Sequence, residues 1–506
     1  MGIFGMHSFM VEVETDVSGT KYRFDIVGLP DTAVSESRER VQTAIKNSGY
    51  AFPFTHITVN LAPADVRKEG STYDLPIFIG LLSAGRQLDA PGADCAFIGE
   101  LSLSGDVRGI PGVLPMVIEA RNAGVRRVFV PAENAAEAAI VEGIDVYPVD
   151  NVRRLVGFLK GEPDQTIEKA LPAPPEPESP AESLLDLADV KGQGAVKRAL
   201  EVAAAGGHNF LMIGTPGSGK SMLAKRIPTI LPEMTFEESL ETTKIYSIAG
   251  ELKNKAGLIR RRPFRSPHHT ISAAGLSGGG VVPRPGELSL AHNGVLFLDE
   301  LPEFSRMTME VMRQPIEDGQ ITISRVAGTI TYPCSVMLVC AMNPCPCGYL
   351  GHPVRQCTCA PGAVQRYISR ISGPLLDRID IQVEVLPVQY ADLSAKEGNE
   401  ETSARVRERV NAARAIQRER FAGTGVTCNA RMSSRQVREY CVLDEAAEKL
   451  IAKMFDKMGL SARAYTRILK VARTISDLSQ ERDILPEHLA EAASYRFLDR
   501  RNILDI

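Results

Sequence analysis

FLMIGTPGSGKSMLAKRI, residues 210–227, decides the fold. A short apolar run, a glycine-rich octet and a helix-forming run read as a buried strand, a phosphate loop and a helix. Within GTPGSGKS (214–221), Gly214, Gly217 and Gly219, spaced by Thr215, Pro216 and Ser218, let successive backbone N–H groups turn inward around an anion. Lys220 is spaced to reach the β and γ phosphates and Ser221 to ligate Mg2+, while the helix N-terminus adds a favourable dipole. The stretch therefore specifies nucleoside triphosphate binding.

Hydrolysis needs a second element, and VLFLDE (295–300) provides it. Asp299, ending a buried strand, is suited to hold Mg2+ through water, and Glu300 to polarise the attacking water. SVMLVCAMN (335–343) is a further apolar run, and Asn343 at its end can orient the same water. Such continuous apolar runs fill a parallel sheet covered on both faces, which predicts an α/β ATPase core over residues 184–390.

Outward from that core the pattern changes on both sides. Residues 391–506 turn helical, with ARVRERVNAARAIQRERF (404–421), LDEAAEKLIAKMFDKM (443–458) and ARAYTRILKVARTISDLS (462–479). Residues 161–183 are rich in Pro and Glu and poor in apolar side chains, which predicts a linker. Residues 1–160 mix strands, HITVNLAP (56–63) and RRVFVPA (126–132), with an amphipathic helix, SESRERVQTAIKNSG (35–49), ended by Gly49. The total of 506 residues agrees with about three domains.

The bulk properties exclude several classes. No apolar run approaches the length of a transmembrane helix, and MGIFGMHSFMVEVE lacks the basic and apolar regions of a signal peptide, so a cytoplasmic protein with no membrane partner is expected. Nine cysteines in so long a chain are no disulfide framework. A net charge of −4 gives no global attraction to nucleic acid, so any such binding must come from local basic patches.

The series GTPGSGKS, LFLDE, AMNP and PLLDRID resembles the AAA+ ATPases of the helix-2-insert clade. Within that clade, RPFRSPHHTIS (262–272), PRPGELSLAHNGVLFLDELPEF (283–304) and NPCPCGY (343–349) resemble the magnesium-chelatase-like YifB/ComM family, over nearly the whole chain. The resemblance implies ATP and Mg2+ as ligands, a hairpin inserted between Lys220 and Asp299, Asn343 as sensor 1, and residues 391–506 as a helical lid. It also implies Arg378 as an arginine finger reaching a neighbour's ATP, Arg463 as sensor 2, and a homo-hexamer. Two alternatives stay open: Arg378 could pair with Asp377 or Asp380, and Arg467 and Arg473 rival Arg463.

FIGELSLSGDVRGIPGVLPMVIEARNAGVRRVFVPAEN (97–134) resembles the proteolytic domain of Lon, a fold shared with a small-subunit ribosomal protein. A serine–lysine protease is nevertheless not expected. Met116 stands where that family places its lysine, Thr72 stands where it places its serine, and Ser71 is one residue out of register.

Cys345, Cys347, Cys357 and Cys359 form C-x-C-x9-C-x-C in a turn-rich loop, suited to tetrahedral Zn2+, with His352 as a substitute ligand and a metal-free thiol cluster as the alternative. Two stretches are basic: Lys253, Lys255, Arg260, Arg261, Arg262 and Arg265 before the insert, and Arg405, Arg407, Arg409, Arg414, Arg418 and Arg420 along one helix. The second reads as a solvated helix face. The first adjoins His268–His269 and Gly278–Gly280, a loop that the resemblance places toward a ring pore, where it could track a phosphate backbone. The resemblance implies DNA as partner and a branch-migration helicase of natural transformation. A chelatase-type remodelling ATPase is the second reading, set back because residues 1–160 look like a fused domain of another type.

Overall fold

The computed structural model describes residues 1–172, 185–252, 257–280, 283–325, 328–388, 400–496 and 498. Residues 173–183 of the expected linker, the expected boundary at 390–391, and Lys253 and Lys255 lie outside the described residues.

The N-terminal region builds two three-stranded sheets. β1 (Glu12–Ser18), β2 (Arg23–Val27) and β3 (His56–Ala62) lie in the order β1-β3-β2, with β1 antiparallel and β2 parallel to β3. Ile57, Val59 and Leu61 alternate inward along β3 and are fully buried, as a period of two requires. The helix α1 (Thr32–Asn47) begins earlier than the sequence suggested, because Asp31 caps it by accepting from the Val34 N–H at 2.7 Å. α2 (Asp74–Ala84) follows, and then β4 (Cys95–Phe97), α3 (Val113–Asn122), β5 (Arg127–Pro131) and β6 (Asp145–Val149) form a parallel sheet in the order β6-β5-β4.

The second sheet system carries the phosphate loop. After α4 (Gly194–Gly206) come β7 (Phe210–Gly214), α5 (Lys220–Ala224), α6 (Phe236–Ala249), β8 (Phe264–Arg265) and β9 (Val295–Leu298). A hairpin of β10 (Gln320–Arg325) and β11 (Gly328–Pro333) precedes β12 (Met337–Met342) and β13 (Ile381–Val385). β8, β9, β12, β7 and β13 form one parallel five-stranded sheet in the order β8-β9-β12-β7-β13. Every residue of β7, β9 and β12 is buried, which is why their sequences lack alternation. Between Lys220 and Asp299 a short antiparallel ladder joins Gly278–Gly279 to Arg284–Pro285; the longer β10–β11 hairpin, after Asp299, was not anticipated from the sequence.

The helical run expected after the phosphate loop is interrupted. α5 stops at Ala224, and a separate turn spans Ile227–Ile230. Pro228 explains the break: its ring would collide with the Ala224 carbonyl, and it has no N–H to continue the ladder. The helix-dipole contribution at the loop is that of one turn.

α7 (Ser403–Arg420), α8 (Glu445–Met458) and α9 (Ala462–Leu478) lie where helical runs were read, and α10 (Pro486–Ser494) adds a helix not singled out from the sequence. They attach to the sheet system through polar contacts as well as a shared apolar cluster. Gln417 and Arg414 donate to the Ala205 and Ala204 carbonyls at 3.0 and 3.1 Å, satisfying groups that the end of α4 leaves open. His208 bridges Asp380 at 3.1 Å and Thr474 at 2.8 Å. Among the described residues, no helix is long and apolar enough to cross a membrane.

Candidate nucleotide site

Parallel strands bring their carboxyl ends to one edge, and β7, β9 and β12 are neighbours in register. The residues that follow them, Thr215 onward, Asp299 and Asn343, therefore meet although far apart in sequence. Gly217 (φ +78°) and Gly219 (φ +91°) adopt left-handed backbone that side chains resist, which turns the loop around its own N–H groups. The Lys220 ammonium folds back on the loop, donating to the Gly214 carbonyl at 2.6 Å, the Thr215 carbonyl at 2.9 Å and Asn343 Oδ1 at 3.3 Å. Burial lowers its pKa, and the charges of Asp299 and Glu300 partly offset that.

Ser221 Oγ donates to Asp299 Oδ2 at 2.7 Å, and the Glu300 N–H donates to Asp299 Oδ1 at 3.0 Å. A hydroxyl beside a carboxylate is a hard oxygen pair of the kind Mg2+ takes. Ser218 Oγ is buried without a hydrogen-bond partner, so the loop holds an unused polar group. The donor set fits a nucleotide with Mg2+.

Glu300 sits at φ +52°, an unusual backbone for a glutamate, and its side chain is half exposed. His269 Nδ1 lies 3.4 Å from Glu300 Oε2, and the His269 ring packs on His268 with centroids 4.1 Å apart. Sequence spacing gave no acidic neighbour for these histidines; the adjacency of β8 and β9 provides one.

The two arginines lie elsewhere. Arg378 pairs with Glu317 and donates to the Arg313 carbonyl at 3.0 Å and the Pro374 carbonyl at 2.7 Å. Neither carboxylate weighed from the sequence, Asp377 or Asp380, is its partner; Asp380 instead holds His208 and Arg467, and Asp377 holds Arg463 at 3.3 Å. Arg463 is well exposed, whereas Arg473 is buried against Asp477 at 3.1 Å.

The four cysteines converge. Their sulfurs all lie within 4.8 Å of one another, with Cys345–Cys347 at 3.3 Å, Cys347–Cys357 at 3.5 Å and Cys345–Cys357 at 3.7 Å. Four sulfurs each about 2.3 Å from a tetrahedral ion would stand about 3.8 Å apart, so the spacing fits Zn2+. His352 is not part of the group: its Nδ1 accepts from the Val354 and Arg355 N–H groups at 3.0 and 2.9 Å, closing a turn.

The basic stretch before the insert is altered by its surroundings. Arg262 is mostly buried and donates to the Pro232 carbonyl at 2.6 Å, the Asn293 carbonyl at 2.7 Å and Glu238 at 2.9 Å. Burial lowers its pKa, with Glu238 opposing. Arg265 is held by Glu287 and Glu251. On α7, Arg409 pairs with Glu201 and Glu401 and Arg420 with Asp477, so these two are tied into the protein and do not belong to the solvated face expected from the sequence. Near the N-terminus, Met116 is buried in α3 and the Ser71 hydroxyl is bonded to Glu100.

Three family models match the chain: "Magnesium chelatase, subunit ChlI" over residues 186–393, "Subunit ChlI of Mg-chelatase" over 13–134, and "Magnesium chelatase, subunit ChlI C-terminal" over 400–496. The uncharacterized protein YifB of Escherichia coli is 44% identical over 499 residues, 98% of this chain and 96% of that protein. Competence protein ComM of Haemophilus influenzae is 43% identical over 498 residues, again 98% and 96%. The uncharacterized protein Rv2897c of Mycobacterium tuberculosis is 40% identical over 498 residues, 98% of this chain and 97% of that protein.

Proposed function

The chain belongs to the YifB/ComM family of magnesium-chelatase-like AAA+ ATPases, and from that premise we propose an ATP-driven ring motor that acts on DNA, a branch-migration helicase or translocase of natural transformation or recombination. The observation that carries the motor reading is the meeting of Lys220, Ser221, Asp299 and Asn343 at one sheet edge. Lys220 exchanges its carbonyl partners for phosphate oxygens, Glu300 polarises the attacking water, and Asn343 holds the water and Lys220 in register. Ser221 and Asp299 would hold Mg2+, which would supply charge neutralisation on the phosphates. Arg378 acts across a subunit boundary in a homo-hexamer, and Arg463, paired with the Asp377 that adjoins Arg378 in the chain, follows nucleotide state. Residues 1–160 form a Lon-like domain without the protease residues, 184–390 the motor, and 391–506 its lid.

DNA as substrate is supported by full-length similarity to a competence protein. Branched and linear DNA are expected to raise the ATPase rate at low salt, and the stimulation is expected to fall steeply as salt rises, because each phosphate contact releases condensed counterions. If no DNA form changes the rate, the helicase reading fails. A remodelling ATPase of chelatase type then takes its place. That second reading gains from the match over residues 13–134, the region whose separate character had counted against it.

The arginines before the insert divide into two kinds. Arg260 is exposed, and Arg260→Ala is expected to reduce the salt slope of DNA stimulation by about one while sparing basal hydrolysis. Replacing Arg260, Arg261 and Arg262 together is no clean test of DNA binding, because Arg262 is a structural residue. Arg262→Ala removes the cation paired with Glu238 and the donor to three carbonyls and is expected to cost roughly 3 kcal/mol of stability, read from the denaturant midpoint.

Zinc is the occupant that the cysteine geometry favours. Metal analysis is expected to find about one zinc per chain, lost when Cys345 and Cys347 are replaced by serine; a fully active, metal-free preparation contradicts this.

A further inference from the structure

We propose that the metal held by Cys345, Cys347, Cys357 and Cys359 sets the affinity of the nucleotide site, because the cysteine loop is packed directly on the phosphate loop. The inference rests on the zinc reading above and adds a regulatory role to it.

Two contacts join the sites. Cys345 is two residues beyond Asn343, whose Oδ1 receives the Lys220 ammonium at 3.3 Å, with the restricted Pro344 between them. The second contact is at Gly348. Its N–H donates to the Cys345 carbonyl at 3.0 Å, closing the turn that places Cys347, and its backbone stands at φ +83°. A Cβ built on Gly348 would lie 2.7 Å from both Cδ and Cγ of Pro216. The backbone of the cysteine turn therefore lies against the proline of the phosphate loop, with no room for a side chain between them.

The sulfurs draw the two ends of this loop together. Cys345 and Cys347 stand against Cys357, and the Cys347 N–H donates to Cys359 Sγ at 3.4 Å. A soft divalent cation fixes all four ligands at once and closes the intervening loop. Without it the sulfurs are joined by weak thiol contacts, the bond from Arg355 to the Tyr349 hydroxyl at 2.8 Å spans only the middle of the loop, and the turn that supports Pro216 and Asn343 loses its metal tether. Metal and nucleotide then favour the same arrangement of residues 343–348, so each tightens the binding of the other by the same factor.

The test uses the full-length protein and two titrations. The affinity for a fluorescent, non-hydrolysed ATP analogue with Mg2+ is measured before and after removal of zinc by a zinc-selective chelator. Zinc affinity is measured with and without that analogue. Stripping is expected to weaken analogue binding by about tenfold, and the analogue to tighten zinc by a similar factor. Gly348→Ala is expected to weaken analogue binding while retaining zinc. Gly351→Ala shares the left-handed backbone (φ +77°) but its Cβ would have no neighbour closer than Glu384 Oε1 at 4.0 Å, and it is expected to bind the analogue like the wild type. If zinc is present but neither stripping nor Gly348→Ala changes analogue binding, the coupling is overturned and the metal site stands. If the protein retains no zinc, both are overturned. If Gly351→Ala weakens binding as much as Gly348→Ala, backbone strain explains the effect and the contact with Pro216 does not.

Discussion

Glu300→Gln is expected to bind ATP at near wild-type affinity and to hydrolyse it about a thousandfold more slowly, whereas Lys220→Ala is expected to lose ATP binding. The asymmetry follows from what each side chain touches. Glu300 projects from a strand end, half exposed, and acts on Lys220 only through its charge; its side-chain partner is His269 at 3.4 Å. The amide keeps its size and loses the charge that polarises water, an effect on the order of 10²–10⁴ in rate. Lys220 is bonded to two carbonyls of the loop and to Asn343, so its removal takes away three hydrogen bonds and the cation that faces the phosphates. Charged hydrogen bonds contribute about 1.5–3 kcal/mol each, so losing two of them to the phosphates weakens binding by at least about a hundredfold. Equilibrium titration and single-turnover hydrolysis separate the two variants. Equal nucleotide affinity for Lys220→Ala and wild type would remove the assignment of the loop.

Arg378→Ala is expected to leave ATP binding nearly intact and to cut turnover of the assembled ring by about 10³-fold or more, the range for an arginine finger. In the single chain this guanidinium is tied to Glu317 and two backbone carbonyls and is little exposed. To reach a neighbour's phosphate it must release Glu317, so Glu317→Gln is expected to leave turnover within a few-fold of wild type. Mixing supplies the decisive measurement. Glu300→Gln subunits keep their own Arg378, and a ring that alternates them with Arg378→Ala subunits regains complete sites at half of its boundaries. Partial recovery supports action in trans. No recovery at any ratio, with Glu317→Gln as impaired as Arg378→Ala, makes the residue a structural tie within its own chain.

The sites differ in how far the sequence alone reveals them. Gly217, Gly219, Lys220 and Ser221 were legible because the loop's demands are local: left-handed glycines, a strand before and a helix after. Asp299 and Asn343 were legible for a related reason. Each ends an unbroken apolar run, such runs pair in parallel, and parallel strands deliver their carboxyl ends to one edge. The cysteine group needed only spacing within one loop.

What lay beyond the sequence were the pairs made by chain segments that meet only in the folded protein. Glu317 on Arg378, His269 at Glu300, Glu238 and three carbonyls around Arg262, and Pro216 under Gly348 leave no periodicity to read. A run such as Arg260–Arg262 has the same composition whether its guanidinium groups face solvent or a buried carboxylate. Local patterns of apolar spacing and backbone conformation determined which residues stand at the sheet edge. Only tertiary packing decided which charges are spent inside the chain and which remain for a ligand, because a charge pair depends on a separation of a few ångströms that loop closure sets and neighbouring residues do not encode.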